Sequence, residues 1–149
     1  MSRSMTLAAA RRHIAGAISK SEQLGIKVCI AIVDNGAHLV AFERMDDAFL
    51  GSVDIAIKKA RTSALFPLET GQLGALIRSE ELTGFELSNE SLMGFNGGVP
   101  IFAGDNQIGA IGISGGSAEE DLAMARAAVG ETVSPDGSRF LCWLAAQFL

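Results

Sequence analysis

The fold of this chain is decided by one stretch, GGVPIFAGDNQIGAIGISGGS, which occupies residues 97–117. Two apolar segments, 98–103 and 108–114, flank a polar turn, and this pattern predicts a β-hairpin. The second strand runs through paired glycines into Ser117, which has Glu120 at the spacing of a capping box and so predicts the start of a helix. The passage from strand to helix therefore predicts free backbone N–H groups at this point.

The other segments predict a second hairpin and three more helices. Asp34-Asn35-Gly36 is a tight-turn signal between two short apolar runs, and Thr6 and Gly25 bracket an amphipathic repeat as its N-cap and its stop signal. Before the deciding stretch, the predicted elements are a helix over 7–24, strands over 26–33 and 37–42, helices over 51–66 and 69–77, and a polar connection over 80–93. Strand pairs lying between helices predict an α+β domain, an α/β sandwich with a largely antiparallel sheet.

The length of 149 residues suits a single domain that spans residues 1–149. We expect its core at about 6–129 and a C-terminal extension at 130–149, whose apolar residues suggest an interface. Hydrophobic residues make up 48% of the chain, which is high for a small domain. We therefore expect a homo-oligomer that covers part of this apolar surface.

Charge and cysteine usage exclude several classes of partner. A net charge of -5 with scattered basic residues argues against nucleic acid, and no apolar stretch is long enough to span a membrane. Cys29 and Cys142 lie in apolar contexts without metal-binding spacing, and the N-terminus lacks the apolar centre of a signal peptide. These features predict a cytoplasmic protein.

The glycines of the deciding stretch have a structural and a functional interpretation. Their spacing matches neither a dinucleotide-binding fingerprint nor a phosphate-binding P-loop. Glycine lets a strand bend and lets a helix pack close to a sheet, which is the structural interpretation. In the functional interpretation, the N–H groups at the helix start bind a carboxylate, with help from the helix dipole. The candidate ligand-binding positions in this stretch are Gly97, Gly98, Gly115, Gly116 and Ser117.

Histidine chemistry is restricted to His13 and His38, because the chain has no other histidine. Neither lies near other metal-ligating residues in the sequence. His38 falls in the first predicted hairpin, whereas His13 lies between the apolar and polar faces of the first predicted helix. A structural role is open to each, and the sharper alternative is a haem iron ligand, which requires one protein donor beside an apolar slot.

Charged residues supply the remaining candidates. Lys59 shares a predicted helix face with apolar residues, where a lone cation is costly unless it meets a carboxylate or a ligand. Arg61 and Arg78 are further candidates for holding a carboxylate. The candidates for catalytic proton transfer lie in the polar connection and are Glu80, Glu81 and Glu86.

Four blocks of sequence resemble a known family. In order they are 31–34 with Gly36, His38 and Leu39; 51–56 with 59–62; 97–101; and 109–116 with Asp121. With these blocks the chain resembles the GlcG/HbpS family, also called the haem-degrading-domain family, and is similar to the C-terminal domain of PduO-type corrinoid adenosyltransferases. The resemblance covers about residues 6–129.

The resemblance implies a profilin-like fold with a central antiparallel sheet of about five strands flanked by helices. It also implies assembly from dimers to octamers and, for some members, haem binding. A histidine on the first helix serves as a proposed ligand in the adenosyltransferase-linked relative, and His13 lies in the corresponding helix.

Three functions follow as hypotheses. The first is a small-ligand protein that binds haem or a related tetrapyrrole, with His13 approaching the iron and Lys59 or Arg61 pairing a propionate. The second is an enzyme of organic-acid catabolism that acts on a small carboxylated metabolite, held by Arg61 or Arg78 and the helix start at Ser117. The third is a non-catalytic structural or accessory protein, because every candidate residue also has a structural interpretation.

Overall fold

The computed structural model of this chain describes residues 4–130. Its elements follow the predicted order closely. They are α1 (Leu7–Leu24), β1 (Cys29–Asp34), β2 (Leu39–Arg44), α2 (Ser52–Leu65), α3 (Thr70–Ser79), a short 3-10 helix (Phe85–Leu87), β3 (Gly98–Ala103), β4 (Asn106–Ser114) and α4 (Ala118–Val129).

The sheet is antiparallel throughout, with the strand order β2-β1-β4-β3. Each predicted hairpin is present, and β1 pairs with β4 to join the two. The sheet therefore has four strands among the described residues, not the expected five. The polar connection forms no strand, because it contains the 3-10 helix and three successive left-handed residues, Asn89, Glu90 and Ser91, with φ between 52° and 80°.

Side chains alternate between the two faces of the sheet and so build two cores. Ile30, Ile32, Ile111 and Ile113 face α1 and α4, whereas a set of smaller residues faces α2. Small side chains on that second face allow α2 to approach the sheet closely. At Gly112, a Cβ atom would collide with backbone atoms of α2, so only glycine fits there.

The helix ends agree with the predicted signals. The Thr6 hydroxyl accepts a hydrogen bond from the Ala9 N–H at 3.1 Å, and Gly25 ends α1 in the left-handed conformation at φ 69°. At the start of α4, Ser117 and Glu120 form the predicted capping box. These local signals act within one turn of helix, which explains why the sequence alone located them.

The C-terminal extension falls almost wholly outside the described residues, and so does Cys142. The interface predicted for that extension stays a prediction. Within residues 4–130, no helix combines the length and the apolar character needed to cross a membrane.

Candidate functional site

His13 lies on α1, half-buried against the end of α4. Its Nδ1 atom is 2.9 Å from the backbone oxygen of Ala128. A carbonyl oxygen only accepts hydrogen bonds, so this contact assigns the proton to Nδ1 and leaves the lone pair of the neutral ring on Nε2. This is the arrangement found in metal-binding histidines, where the second nitrogen donates to a carbonyl or carboxylate and fixes the ring.

Small residues surround the His13 ring on α1. The positions three and four residues away along the helix are Ala9, Ala10, Gly16 and Ala17. A Cβ atom on Gly16 would lie 3.4 Å from the Ala128 Cα, so the two helices approach closely beside the ring. Ala10 and Ala17 are fully buried in the core, so the half-buried Ala9 and Gly16 are the small residues that form the surface beside the ring.

Lys59 is fully buried and its ammonium group has internal partners. The Nζ atom donates to the backbone oxygen of Ile113 at 2.8 Å and to Asp121 Oδ2 at 3.1 Å. It also lies 4.6 Å from the centre of the Phe95 ring, a cation–π contact. Asp121 is thus the carboxylate that pairs with Lys59. A propionate could pair with Lys59 only by displacing Asp121.

Burial dominates the electrostatics of this pair. Desolvation lowers the pKa of Lys59, while the Asp121 charge and hydrogen bond oppose that shift. Desolvation likewise raises the pKa of Asp121, against the opposing effects of Lys59 and the backbone N–H groups of Gly116 and Gly115. Both shifts show that burial disfavours each charged form, so each group depends on its partner to stay charged.

The glycine positions of the deciding stretch serve packing. Gly97 lies against the Lys59 side chain, and the Gly98 N–H donates to Thr70 Oγ1 at 2.9 Å. Gly115 lies against the chain before β1, at Lys27 and Val28, where a side chain would collide. These positions fit the structural interpretation of the glycines.

The N–H groups at the start of α4 are already bonded. The Gly116 N–H donates to Asp121 Oδ1 at 2.8 Å, and the Ser117 N–H donates to Glu120 Oε1 at 2.9 Å. The expectation of free N–H groups is therefore wrong for these two residues, because side chains of the same helix satisfy them. A ligand role for this helix start stays a prediction.

The structure separates His13 from the other basic candidates. His13 lies in the α1 and α4 layer, whereas Arg61 belongs to α2, on the opposite face of the sheet. The Arg61 Nη2 atom donates to the backbone oxygen of Asn89 at 3.1 Å, and Arg78 is exposed in the last turn of α3. One chain therefore does not bring His13 and Arg61 together.

The three glutamates proposed for proton transfer lie on the surface of the polar connection. Glu80 and Glu81 are exposed, and Glu86 is half-buried in the 3-10 helix. Across residues 4–130, no group of three or more histidine, cysteine, aspartate or glutamate side chains is placed to hold a metal ion. Their catalytic role stays a prediction.

The sequence did not predict the ion pair between Arg126 and Glu69. Arg126 of α4 binds Glu69, the N-cap of α3, through two parallel hydrogen bonds of 2.8 and 2.7 Å. The partners are 57 residues apart, so no helical spacing signals the pair. Its only sequence signal was a glutamate at the predicted start of a helix.

Comparison with known proteins places these features in a family. A family model described as "Haem degrading protein HbpS-like" matches residues 5–130. An uncharacterised 15.0 kDa protein of Citrobacter freundii, from the dhaT-dhaS intergenic region, is 33% identical over 127 residues, which cover 84% of this chain and 89% of that protein.

Solved structures show the same fold. The ORFY protein of Klebsiella pneumoniae superimposes with a TM-score of 0.82 at 31% identity, over 87% of this chain and 90% of that protein. A structure described as a PduOC:heme complex superimposes with a TM-score of 0.79 at 30% identity, over 85% of this chain and 93% of the other.

Proposed function

Since this chain belongs to the HbpS-like family, we propose that it binds haem or a related tetrapyrrole, with His13 as the residue that would hold the iron. The observation that carries the proposal is the bond between His13 Nδ1 and the Ala128 oxygen, which leaves Nε2 free to bind iron. The haem complex of a protein with the same fold supports the choice of ligand.

The residues around His13 fit a haem. The half-buried Ala9 and Gly16 place little side-chain bulk beside the imidazole, and the Ala128 carbonyl holds the imidazole plane in place. Bound haem would supply an iron centre able to take up a small ligand or an electron. The part of this chain is to orient the donor nitrogen of His13.

We propose that a second copy of the chain completes the site, in an assembly between a dimer and an octamer. Within one chain Arg61 lies on the far side of the sheet from His13, so a propionate partner at Arg61 would come from a neighbouring copy. Large apolar residues on the surface, among them Phe49 at 72% and Leu50 at 76% exposure, also favour association. The cytoplasm is the proposed compartment, because Cys29 is a buried free thiol.

The test is a haemin titration of the purified protein, followed by gel filtration to remove loosely held haem. We expect a saturable Soret band that stays with the protein. His13→Ala should abolish it. The control is His38→Ala, because the His38 side chain is 81% exposed and its Nδ1 atom lies 3.3 Å from Asp34 Oδ1 of the same hairpin. An unchanged spectrum in His13→Ala would exclude His13 as the ligand.

The alternative of an enzyme for carboxylated metabolites has weaker support. Its expected carboxylate site combines Arg61 or Arg78 with the start of α4, where Asp121 and Glu120 already accept the hydrogen bonds from Gly116 and Ser117. The non-catalytic alternative makes a different prediction from haem binding, namely that haemin does not stay with the protein after gel filtration.

A further inference from the structure

We infer that Glu69 and Arg126 are positioning residues for His13, and that they act through the last turn of α4. The inference deepens the proposed function and takes its biological meaning from it. Its structural content, the placement of one proton on the His13 ring, can be tested without any ligand.

Glu69 and Arg126 form an ion pair with two hydrogen bonds. The Arg126 Nε atom donates to Glu69 Oε2 at 2.8 Å, and Nη2 donates to Oε1 at 2.7 Å, so the guanidinium is held in a two-point contact. Glu69 is a firm anchor because its side chain is only 9% exposed and also takes part in the capping box of α3. The pair therefore fixes the position of Arg126 relative to α3.

Arg126 shares the last turn of α4 with Ala128, whose carbonyl contacts His13. Arg126 lies in the last turn of α4, and its backbone oxygen accepts from the Gly130 N–H at 2.9 Å. Ala128 is two residues further along, among the final four residues whose carbonyls have no partner within a helix. Its oxygen is satisfied by the His13 Nδ1–H instead.

Each end of α4 has one ion pair among the described contacts. The first turn of α4 is fixed by the Lys59–Asp121 pair, whereas among the described contacts the Glu69–Arg126 pair is the ionic contact of the last turn. Helix ends fray readily when they lose such contacts. Ala128 and Val129 also pack against the core, so without the pair we expect a displacement of the Ala128 carbonyl that loosens, and does not abolish, its contact with the His13 proton.

Nitrogen-15 NMR on the ligand-free protein measures this directly. Long-range ¹H–¹⁵N correlations in an alkaline buffer, where imidazole is neutral, distinguish a protonated ring nitrogen from one with a lone pair. In the wild type we expect His13 to be predominantly protonated on Nδ1. Arg126→Gln and Glu69→Gln should each give a mixture of tautomers. Arg126→Lys keeps the charge but not the two-point contact. Its fraction of His13 protonated on Nδ1 should lie between those of the wild type and Arg126→Gln.

Two controls separate positioning from general stability. Asp54→Asn removes the exposed Asp54–Lys58 pair on α2 and should leave the His13 spectrum unchanged. The His38 signals in the same spectra report any global change. If Arg126→Gln and Glu69→Gln lower the melting temperature while His13 keeps the wild-type tautomer, the pair is structural only and the inference is wrong. A wild-type His13 that is not protonated on Nδ1 would also overturn it.

The haemin titration adds a second readout. Loss of a residue that orients a metal-binding histidine weakens binding on the order of tenfold, and we expect that loss for Arg126→Gln. If the wild type does not bind haemin, the proposed function fails, but the tautomer measurement still decides the role of Glu69 and Arg126.

Discussion

Lys59 and Asp121 meet with 3.1 Å between Nζ and Oδ2, and their side chains are 0% and 4% exposed. They belong to α2 and α4, which pack on opposite faces of the sheet, so the contact joins the two layers beyond the end of β4. The Ile113 oxygen and the Gly116 N–H complete the hydrogen bonding of the pair. The ion pair is therefore a buried contact between two helices, and it occupies the place where the sequence suggested a ligand for Lys59.

Removing one member of this pair should destabilise the protein strongly. Lys59→Met or Asp121→Asn leaves the remaining group buried without its partner, which costs about 3–5 kcal/mol in the free energy of unfolding. The double variant Lys59→Met/Asp121→Asn should be more stable than either single variant, because no buried charge remains. Urea unfolding measures all three. Single effects that simply add in the double variant would contradict the coupling.

Cys29 should make stability fall with rising pH. Burial raises the pKa of the folded thiol above 9.0, despite the opposing charge of Arg44. As the pH rises through 9.0, the unfolded chain loses this proton first, so the native state binds more protons and the free energy of unfolding decreases.

The measurement is the stability difference between the wild type and Cys29→Ala, from about pH 8 to about pH 10. Taking the difference cancels Lys59, whose lowered pKa contributes with the opposite sign below 10.5. We expect the free energy of unfolding of the wild type to fall relative to that of Cys29→Ala as the pH rises. A difference independent of pH would show that the thiol ionises equally in both states.

Gly112 should not tolerate a methyl group. Its Cβ would collide with the Ala56 oxygen and the Ala60 nitrogen of α2, so Gly112→Ala must push the helix away from the sheet. Overpacking of this kind costs about 1–3 kcal/mol. Gly51→Ala is the matched control, because Gly51 has φ -63° and a methyl group there would have no other atom within 4 Å. Equal unfolding midpoints for the two variants would refute the close approach.

The start of α4 should lose stability when its cap is removed. Ser117→Ala deletes the oxygen that accepts from the Glu120 N–H at 3.1 Å, which costs about 1 kcal/mol. Ser79→Ala is a suitable comparison, since that hydroxyl donates only to Leu76 of its own helix and should matter by less than about 0.5 kcal/mol. Thermal unfolding of both variants, with and without simple carboxylates, also reveals whether the helix start binds an external anion.

The sequence alone determined the local elements of this protein. Thr6, Gly25 and the Ser117–Glu120 capping box place helix ends through contacts within one turn, and tight-turn signals place both hairpins. Glycine gives a weaker signal, because a missing side chain serves either ligand binding or close packing. At Gly97, Gly98 and Gly112 the structure shows packing against α2 or its side chains.

Only the tertiary structure decided which side chains meet. His13 is 115 residues from Ala128, Lys59 is 62 from Asp121, and Glu69 is 57 from Arg126. The sequence required a carboxylate or a ligand for Lys59 but could not identify which, because the partner depends on how α2 and α4 lie across the sheet. It likewise could not show that the sheet separates His13 from Arg61. Periodicity fixes the face of a helix on which a residue lies, whereas its partner is set by the packing of whole layers.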